Sequence, residues 1–173
     1  FKKKCGVNVI LVTKDNLSEY ILSEYPIHPA YEFLSNVHRS DYLRCYFMHH
    51  YGGGYSDIKE TSSNWNNYFD ILENSDKEIC GYPELRGQAA SSAYELQKKM
   101  GNTQPADQVL IGCGNFICKP KTNITSLWYK KVNEFLDSKL EQLKLNPADN
   151  SLRPSFGKGY PIKWNHLMGN IFH

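Results

Sequence analysis

Short apolar blocks separated by polar turns run the length of this chain, and their spacing changes from block to block. Val7 to Thr13 is rich in β-branched residues and ends in the turn cluster Lys14-Asp15-Asn16, which predicts a buried strand. Asn16 is placed to cap a short helix over Leu17 to Leu22, and Pro26 and Pro29 mark the loop beyond it. Ser35 or Ser40 can cap a second helix that runs to about Tyr51. Leu43, Phe47 and Tyr51 recur every four residues there and give one apolar face. Gly52 suits a left-handed stop for that helix.

Gly54 to Ile58 reads as a strand end, Trp65 to Leu72 as a short helix, and Glu78 to Tyr82 as a second strand ended by Pro83. Arg86 to Asn102 mixes helix formers with a Gln-Ala-Ala-Ser-Ser stretch and reads as part loop, part helix. Gln108 to Cys118 alternates apolar residues with glycines, a pattern for a helix or strand pair with close backbone approach. The clearest helix is Ile124 to Leu145, where Trp128, Val132, Phe135, Leu136, Leu140 and Leu143 line one face. After Pro147 comes a loop rich in Asn, Ser, Pro and Gly through Tyr160, then Ile162 to His173. Strands alternating with helices predict an α/β sandwich. No internal repeat is visible, and residues 1–173 read as one domain, either whole or cut from a longer chain that supplies a first strand.

Composition narrows the function classes. Hydrophobic residues make up 40% and charged residues 22%, as in ordinary globular chains. Aromatics reach 13%, with twelve tyrosines, which suits either stacking on rings and sugars or filling core edges. Net charge is +2 and the only basic run is Lys2-Lys3-Lys4, so nucleic acid is not an expected partner. The longest apolar run, Val9 to Val12, is too short for a membrane span. Five cysteines lack any Cys-x-x-Cys spacing, which gives no zinc or thioredoxin-type motif; Cys45 and Cys113 read as small core residues. Cysteine usage favours a reducing, cytoplasmic compartment.

The chemistry concentrates between Ser40 and Lys59. Asp41 and Arg44 stand three apart on a helix and project from one face. Such a pair is either a weak helix-end ion pair, with Asp41 in the first turn, or an acceptor and forked donor for sugar hydroxyls. Gly52, Gly53 and Gly54 exceed what a helix stop needs and permit a tight turn, but they lack the dinucleotide and Walker spacings. Asp57 follows at a strand edge, where an α/β sheet keeps its ligand crevice. It is either a turn aspartate or a ligand for a hard divalent ion bridging a diphosphate.

Taken together, Ser40-Asp-x-x-Arg44, a helix, and Gly-Gly-x-Tyr-x-Asp57 resemble the metal-dependent glycosyltransferases of GT-A fold. That group includes capsular-polysaccharide-synthesis proteins, sugar-binding-region DxD transferases and the large clostridial glucosylating toxins, and the chain is most similar to the small bacterial or large-DNA-virus type. Looser similarity covers Val9 to Asn16 and the tail Tyr160-Pro-x-x-Trp164 with Gly169-x-Ile-x-His173. The resemblance implies a nucleotide-sugar-binding sandwich with a central, mostly parallel mixed sheet flanked by helices. It implies Asp41 and Arg44 on the donor sugar, Tyr55, Ser56 and Asp57 on the nucleotide, and Mn²⁺ or Mg²⁺ held by Asp57. A C-terminal histidine adds to the metal in such enzymes, and His173 fits slightly better than His166, whereas His49 and His50 read as structural. Lys158, in Gly157-Lys-Gly159, is either an exposed loop lysine or a lid over the diphosphate. The second acid of the DxD motif is Lys59 here. Either Asp57 then binds metal alone, or Lys59 replaces part of the metal's charge, or metal dependence is weak.

An inverting reaction needs a carboxylate base near the acceptor hydroxyl, and Asp107 and Glu84 are the candidates; a retaining reaction needs none. The leading expectation is a glycosyltransferase that passes a sugar from a nucleoside-diphosphate donor, a UDP-sugar, to a glycan or glycoprotein. The alternatives are a non-catalytic sugar-nucleotide binding domain, which Lys59 favours, and a sugar nucleotidyltransferase, whose Gly-rich signature is absent.

Overall fold

Helix formation starts where the sequence supplies caps. In the computed structural model, which describes residues 4–60, 63–84, 110–151 and 156–173, helix α1 spans Asn36–His50. The Ser35 hydroxyl accepts from the His38 amide at 3.2 Å. Gly52 ends the helix with φ +65°, and its amide donates to the carbonyls of Phe47 and Met48. The buried face of α1 is not the one that Leu43, Phe47 and Tyr51 predict. Tyr42, Cys45 and Tyr46 are fully buried, whereas Leu43 and Phe47 are half-buried and Tyr51 is exposed. The two tyrosines can enter the core because their hydroxyls have partners. Tyr42 accepts from the His28 amide at 3.0 Å, and Tyr46 from the Leu22 amide at 2.9 Å.

Strand β1, Gly53–Ser56, follows the turn directly. Helix α2 covers Asn66–Glu73, strand β2 Ile79–Glu84 and strand β3 Leu110–Cys118. Strand β3 lies in the middle, with β1 and β2 on either side, and both pairings are antiparallel. Tyr55 and Gly81 both face Phe116 across the ladder. Pro83 lies inside β2, past the predicted strand end, at a register shift between Gly81 and Pro83. An edge strand tolerates proline there because no ladder amide is required.

Helix α3, Asn123–Leu145, is the long amphipathic helix expected from the sequence. Thr122 and Thr125 close its start in a reciprocal capping box. Trp128, Val132, Leu136 and Leu143 are buried and join Tyr42, Cys45, Tyr46 and Phe116 in one core, with Phe135 and Leu140 packed at its edge. The tail makes a wide π-type turn, His166–Asn170, burying Leu167 and Met168. Phe172 then packs on Trp128 and Phe116 at ring separations of 4.7 and 5.2 Å. Among the described residues, no helix is long and apolar enough to cross a membrane.

Three expectations are corrected. The sheet of the described residues is antiparallel, not mostly parallel, because β3 returns between β1 and β2. Val7 to Thr13 forms no ladder with any described strand: Ile10 and Leu11 are 58% and 64% exposed. A β-branched run favours extended backbone, but burial needs a neighbour on which to pack. Asn16 caps nothing; its side chain accepts from the Thr13 amide at 2.7 Å and donates to the Leu11 carbonyl, and a single 3₁₀ turn, Leu17–Tyr20, follows. The expectation for Arg86 to Asn102 lies outside the described residues.

Candidate functional site

Helix α1 begins at Asn36, so Asp41 lies in its second turn, beyond the reach of the helix N-terminus. Asp41 and Arg44 are not a surface pair. They are 6% and 8% exposed, under the sheet. The Arg44 guanidinium crosses to the sheet as a fork. One nitrogen donates to the Cys113 carbonyl of β3 at 2.7 Å, and the other to the Tyr55 hydroxyl of β1 at 2.7 Å. That second nitrogen also stands 3.6 Å from Asp41 Oδ1 and 3.9 Å from Asp57 Oδ1. The guanidinium carbon lies 3.8 Å from the centre of the Tyr55 ring, so the ring meets the cation as well as the hydroxyl does.

Tyr55 passes this arrangement on: its hydroxyl donates to Asp57 Oδ1 at 2.9 Å. Asp57 continues the ladder just past β1, its amide donating to the Gly114 carbonyl at 2.8 Å. Its other carboxylate oxygen, Oδ2, pairs with the Lys59 ammonium at 2.9 Å. The outcome is a row running outward from Asp41 and Arg44 through Tyr55 and Asp57 to Lys59, whose side chain is 60% exposed.

Burial dominates titration at the inner end of this row, at Asp41 and Tyr55. It pushes the Asp41 carboxyl up to about 7; nearby Arg44 pulls against it and Asp57 pushes further. The Tyr55 hydroxyl is raised by burial, against the opposing pull of Arg44. The hydrogen bond and charge of Asp57 raise the Lys59 ammonium, keeping it protonated. The Cys113 thiol is driven up to about 12 by burial and is no nucleophile at neutral pH.

Two contributions come from the later strands, β2 and β3. Gly114 faces Asp57: a β-carbon there would lie 2.9 Å from Asp57 Oδ2, 3.2 Å from the Tyr82 hydroxyl and 3.3 Å from Lys59 Nζ. Tyr82 lies flat across Gly112, whose missing side chain leaves room for the ring. Sequence reasoning did not single out Tyr82 or the Cys113 carbonyl. The alternation of glycine in Leu110 to Gly114 was the available signal, since it marks close approach along β3.

The remaining predicted residues fall elsewhere. Ser56 points away from Tyr55, its hydroxyl donating to Asn115 Oδ1 at 2.7 Å. His173 Nε2 donates to the Ile111 carbonyl at 2.7 Å and stands 3.8 Å from Cys113 Sγ. His166 stacks on Phe135 with ring centres 4.1 Å apart. Glu84 is buried at the end of β2 and its charge reaches Cys113. Lys158 is exposed on its loop, and Asp107 lies outside the described residues. His49 and His50 sit in an aromatic cluster with Tyr25, Tyr46 and Tyr129, in keeping with a structural role.

With this geometry in hand, comparison with known families gives one match. Residues 1–71 match the glycosyltransferase sugar-binding region containing a DXD motif. The match spans less than half the chain but includes Asp41, Arg44, Asp57 and Lys59. Over that stretch the chain is similar to DXD glycosyltransferases, without being tied to the capsular group. Neither the curated proteins nor the solved structures give a match.

The DXD motif typically holds a divalent metal, and the donors present do not suit one. Mg²⁺ and Mn²⁺ call for several hard oxygen ligands with open lone pairs. Each Asp57 oxygen already has one partner, Tyr55 or Lys59, and a cation, Lys59, stands at the position of the second acid. No three His, Cys, Asp or Glu side chains converge among the described residues. His173 Nε2 is spent on the Ile111 carbonyl.

Proposed function

We propose that this chain is a glycosyltransferase domain that takes a sugar from a nucleoside-diphosphate donor, UDP-linked, and passes it to a glycan or glycoprotein. The observation that carries the reading is the buried Arg44 fork tied at once to Asp41, Tyr55 and the Cys113 carbonyl. A donor fork beside a carboxylate suits the paired hydroxyls of a sugar ring, and Tyr55 and the Cys113 carbonyl hold the fork in place. In this reading Asp41 and Arg44 orient the donor sugar. Tyr55 and Asp57 line the nucleotide side, Ser56 reaches it only through its bond to the Asp57 carbonyl, and Lys158 reaches over the diphosphate from its loop. Asp107 or Glu84 serves as base if the reaction inverts. The cytoplasmic setting drawn from cysteine usage belongs to the same proposal.

The test is a panel of UDP-, GDP- and CMP-sugars assayed by thermal shift and then by donor turnover. A donor at about a hundred times its Kd adds about 2.7 kcal/mol to stability, a rise of several degrees in Tm for a chain of this size. UDP-sugars should give that rise and be consumed; no shift with any donor would refute the proposal. The closed Asp57–Lys59 pair favours one alternative, a non-catalytic sugar-nucleotide binder. A thermal shift without turnover would establish that alternative.

A further inference from the structure

We propose that the Lys59 ammonium takes the place of the divalent cation, so that the diphosphate of the donor is bound by charge the protein supplies itself. The inference rests on the sugar-nucleotide reading above and specifies how that site recognises its ligand.

Three observations carry it. The first is position. Lys59 stands two residues after Asp57, where the DXD motif has its second acid, and its Nζ lies 2.9 Å from Asp57 Oδ2. A divalent ion approaching that oxygen would have to displace an ammonium already bound there and then lie beside its like charge. Asp57 thus acts as the holder of a built-in cation. The second is support. An exposed ion pair alone is a weak feature. This one borders the space above Gly114 together with the Tyr82 hydroxyl, since a β-carbon at 114 would lie 3.2 Å from that hydroxyl and 3.3 Å from Lys59 Nζ, and Tyr82 adds to the pull on the ammonium. The third is the direction of the charge. The Asp57 carboxylate is fixed from behind by Tyr55, with Arg44 at 3.9 Å, while the Lys59 side chain is 60% exposed on the open side. An ammonium has three donors. One is used on Asp57, which leaves two for phosphate oxygens arriving from solvent.

The geometry also assigns a division of labour. Arg44 is buried and rigid, suited to positioning the sugar, whereas Lys59 ends a flexible four-carbon stem and can follow a leaving diphosphate. A divalent ion would do the second job by neutralising charge on the leaving group; here a point charge does it.

Calorimetric titration of UDP into the full chain, once in EDTA and once in excess Mn²⁺, tests the inference. The unsubstituted chain should bind UDP with the same affinity in both. Lys59→Ala should lose about tenfold or more in EDTA, the order expected for a charge-assisted contact. Lys59→Arg should keep metal-free binding, which separates lost charge from lost fold. Lys59→Asp, which creates the acidic pair, should lose binding in EDTA and recover it with Mn²⁺. Binding by the unsubstituted chain that vanishes in EDTA and returns with Mn²⁺ overturns the inference and leaves the glycosyltransferase proposal standing. Lys59→Ala that binds as well as the unsubstituted chain in EDTA also overturns it. No UDP binding under either condition overturns both.

Discussion

Replacing Asp41 by Asn tests whether the carboxylate at the centre of the site is as desolvated as its position implies. Burial raises its pKa from the ordinary 3.8 to about 7, even with Arg44 at 3.6 Å. A carboxyl with a raised pKa holds its proton in the fold at pH values where the unfolded chain has released it. Stability from this group is therefore full below about pH 4 and falls as pH rises towards 7. A difference of about three in pKa corresponds to about 4 kcal/mol lost by pH 8. Four histidines run the other way, His49 and His166 lowered by burial and His38 and His50 lowered furthest. Burial lowers His38 and His50 from 6.5 to about 4, so the stability they lend is present above 6.5 and is lost as pH falls. The pH profile of the native chain mixes these opposing slopes, whereas the difference between native and Asp41→Asn isolates one. Urea denaturation at about pH 4, 5, 6, 7 and 8 supplies that difference. The Asn variant should match the native chain near pH 4 and be more stable by up to about 4 kcal/mol near pH 8. A difference that stays constant across the range would show that Asp41 ionises as it does in water and would refute the reasoning.

Three other substitutions probe the frame around that carboxyl. Arg44→Ala removes a fork that serves Cys113, Tyr55 and Asp41, and should cost about 3 kcal/mol or more in chemical denaturation because buried partners are left unpaired. Gly52→Ala places a β-carbon 2.6 Å from Pro120 Cδ and 2.9 Å from the Cys118 carbonyl at φ +65°, so its urea midpoint should fall by an amount equivalent to more than about 1 kcal/mol. Gly114→Ala carries no such backbone strain but pushes a methyl to 2.9 Å from Asp57 Oδ2 and 3.3 Å from Lys59 Nζ. It should weaken UDP binding about tenfold in calorimetry while Tm changes little, since the crowding falls on functional side chains.

Helices were legible in this sequence because their signals are local. Ser35 and Gly52 bracket α1, and the apolar stripe from Trp128 to Leu143 marks α3, so each helix is decided by residues close to it in the chain. The sheet was not legible in that way. Whether β1, β2 and β3 run parallel depends on which strand lies in the middle, and β3 comes from more than fifty residues beyond β1. The run Val7 to Thr13 has strand composition, but no described strand pairs with it. The buried face of α1 was missed for another reason. Leu43, Phe47 and Tyr51 recur every four residues, yet Tyr42 and Tyr46 take the core because each has a backbone amide waiting for its hydroxyl.

The site divides along the same line. Asp41, Arg44 and Asp57 lie on one continuous stretch of helix, turn and strand, so their spacing alone brought them together. Cys113, Gly114 and Tyr82 enter through the sheet ladder, and nothing in their own neighbourhoods announces a carboxylate nearby. Lys59 belongs to both groups. From sequence it is a mismatch in an acidic motif, open to a degraded site or a weak metal site. Geometry adds what spacing could not: its ammonium already occupies the Asp57 oxygen that a metal would need, and Tyr82 and Gly114 close in behind it. Asp57 is held by Tyr55 on one side while the substituted cation faces solvent on the other, as the proposed replacement of metal charge requires. The arrangement is better explained as a site whose positive charge has been moved from a bound ion onto the chain.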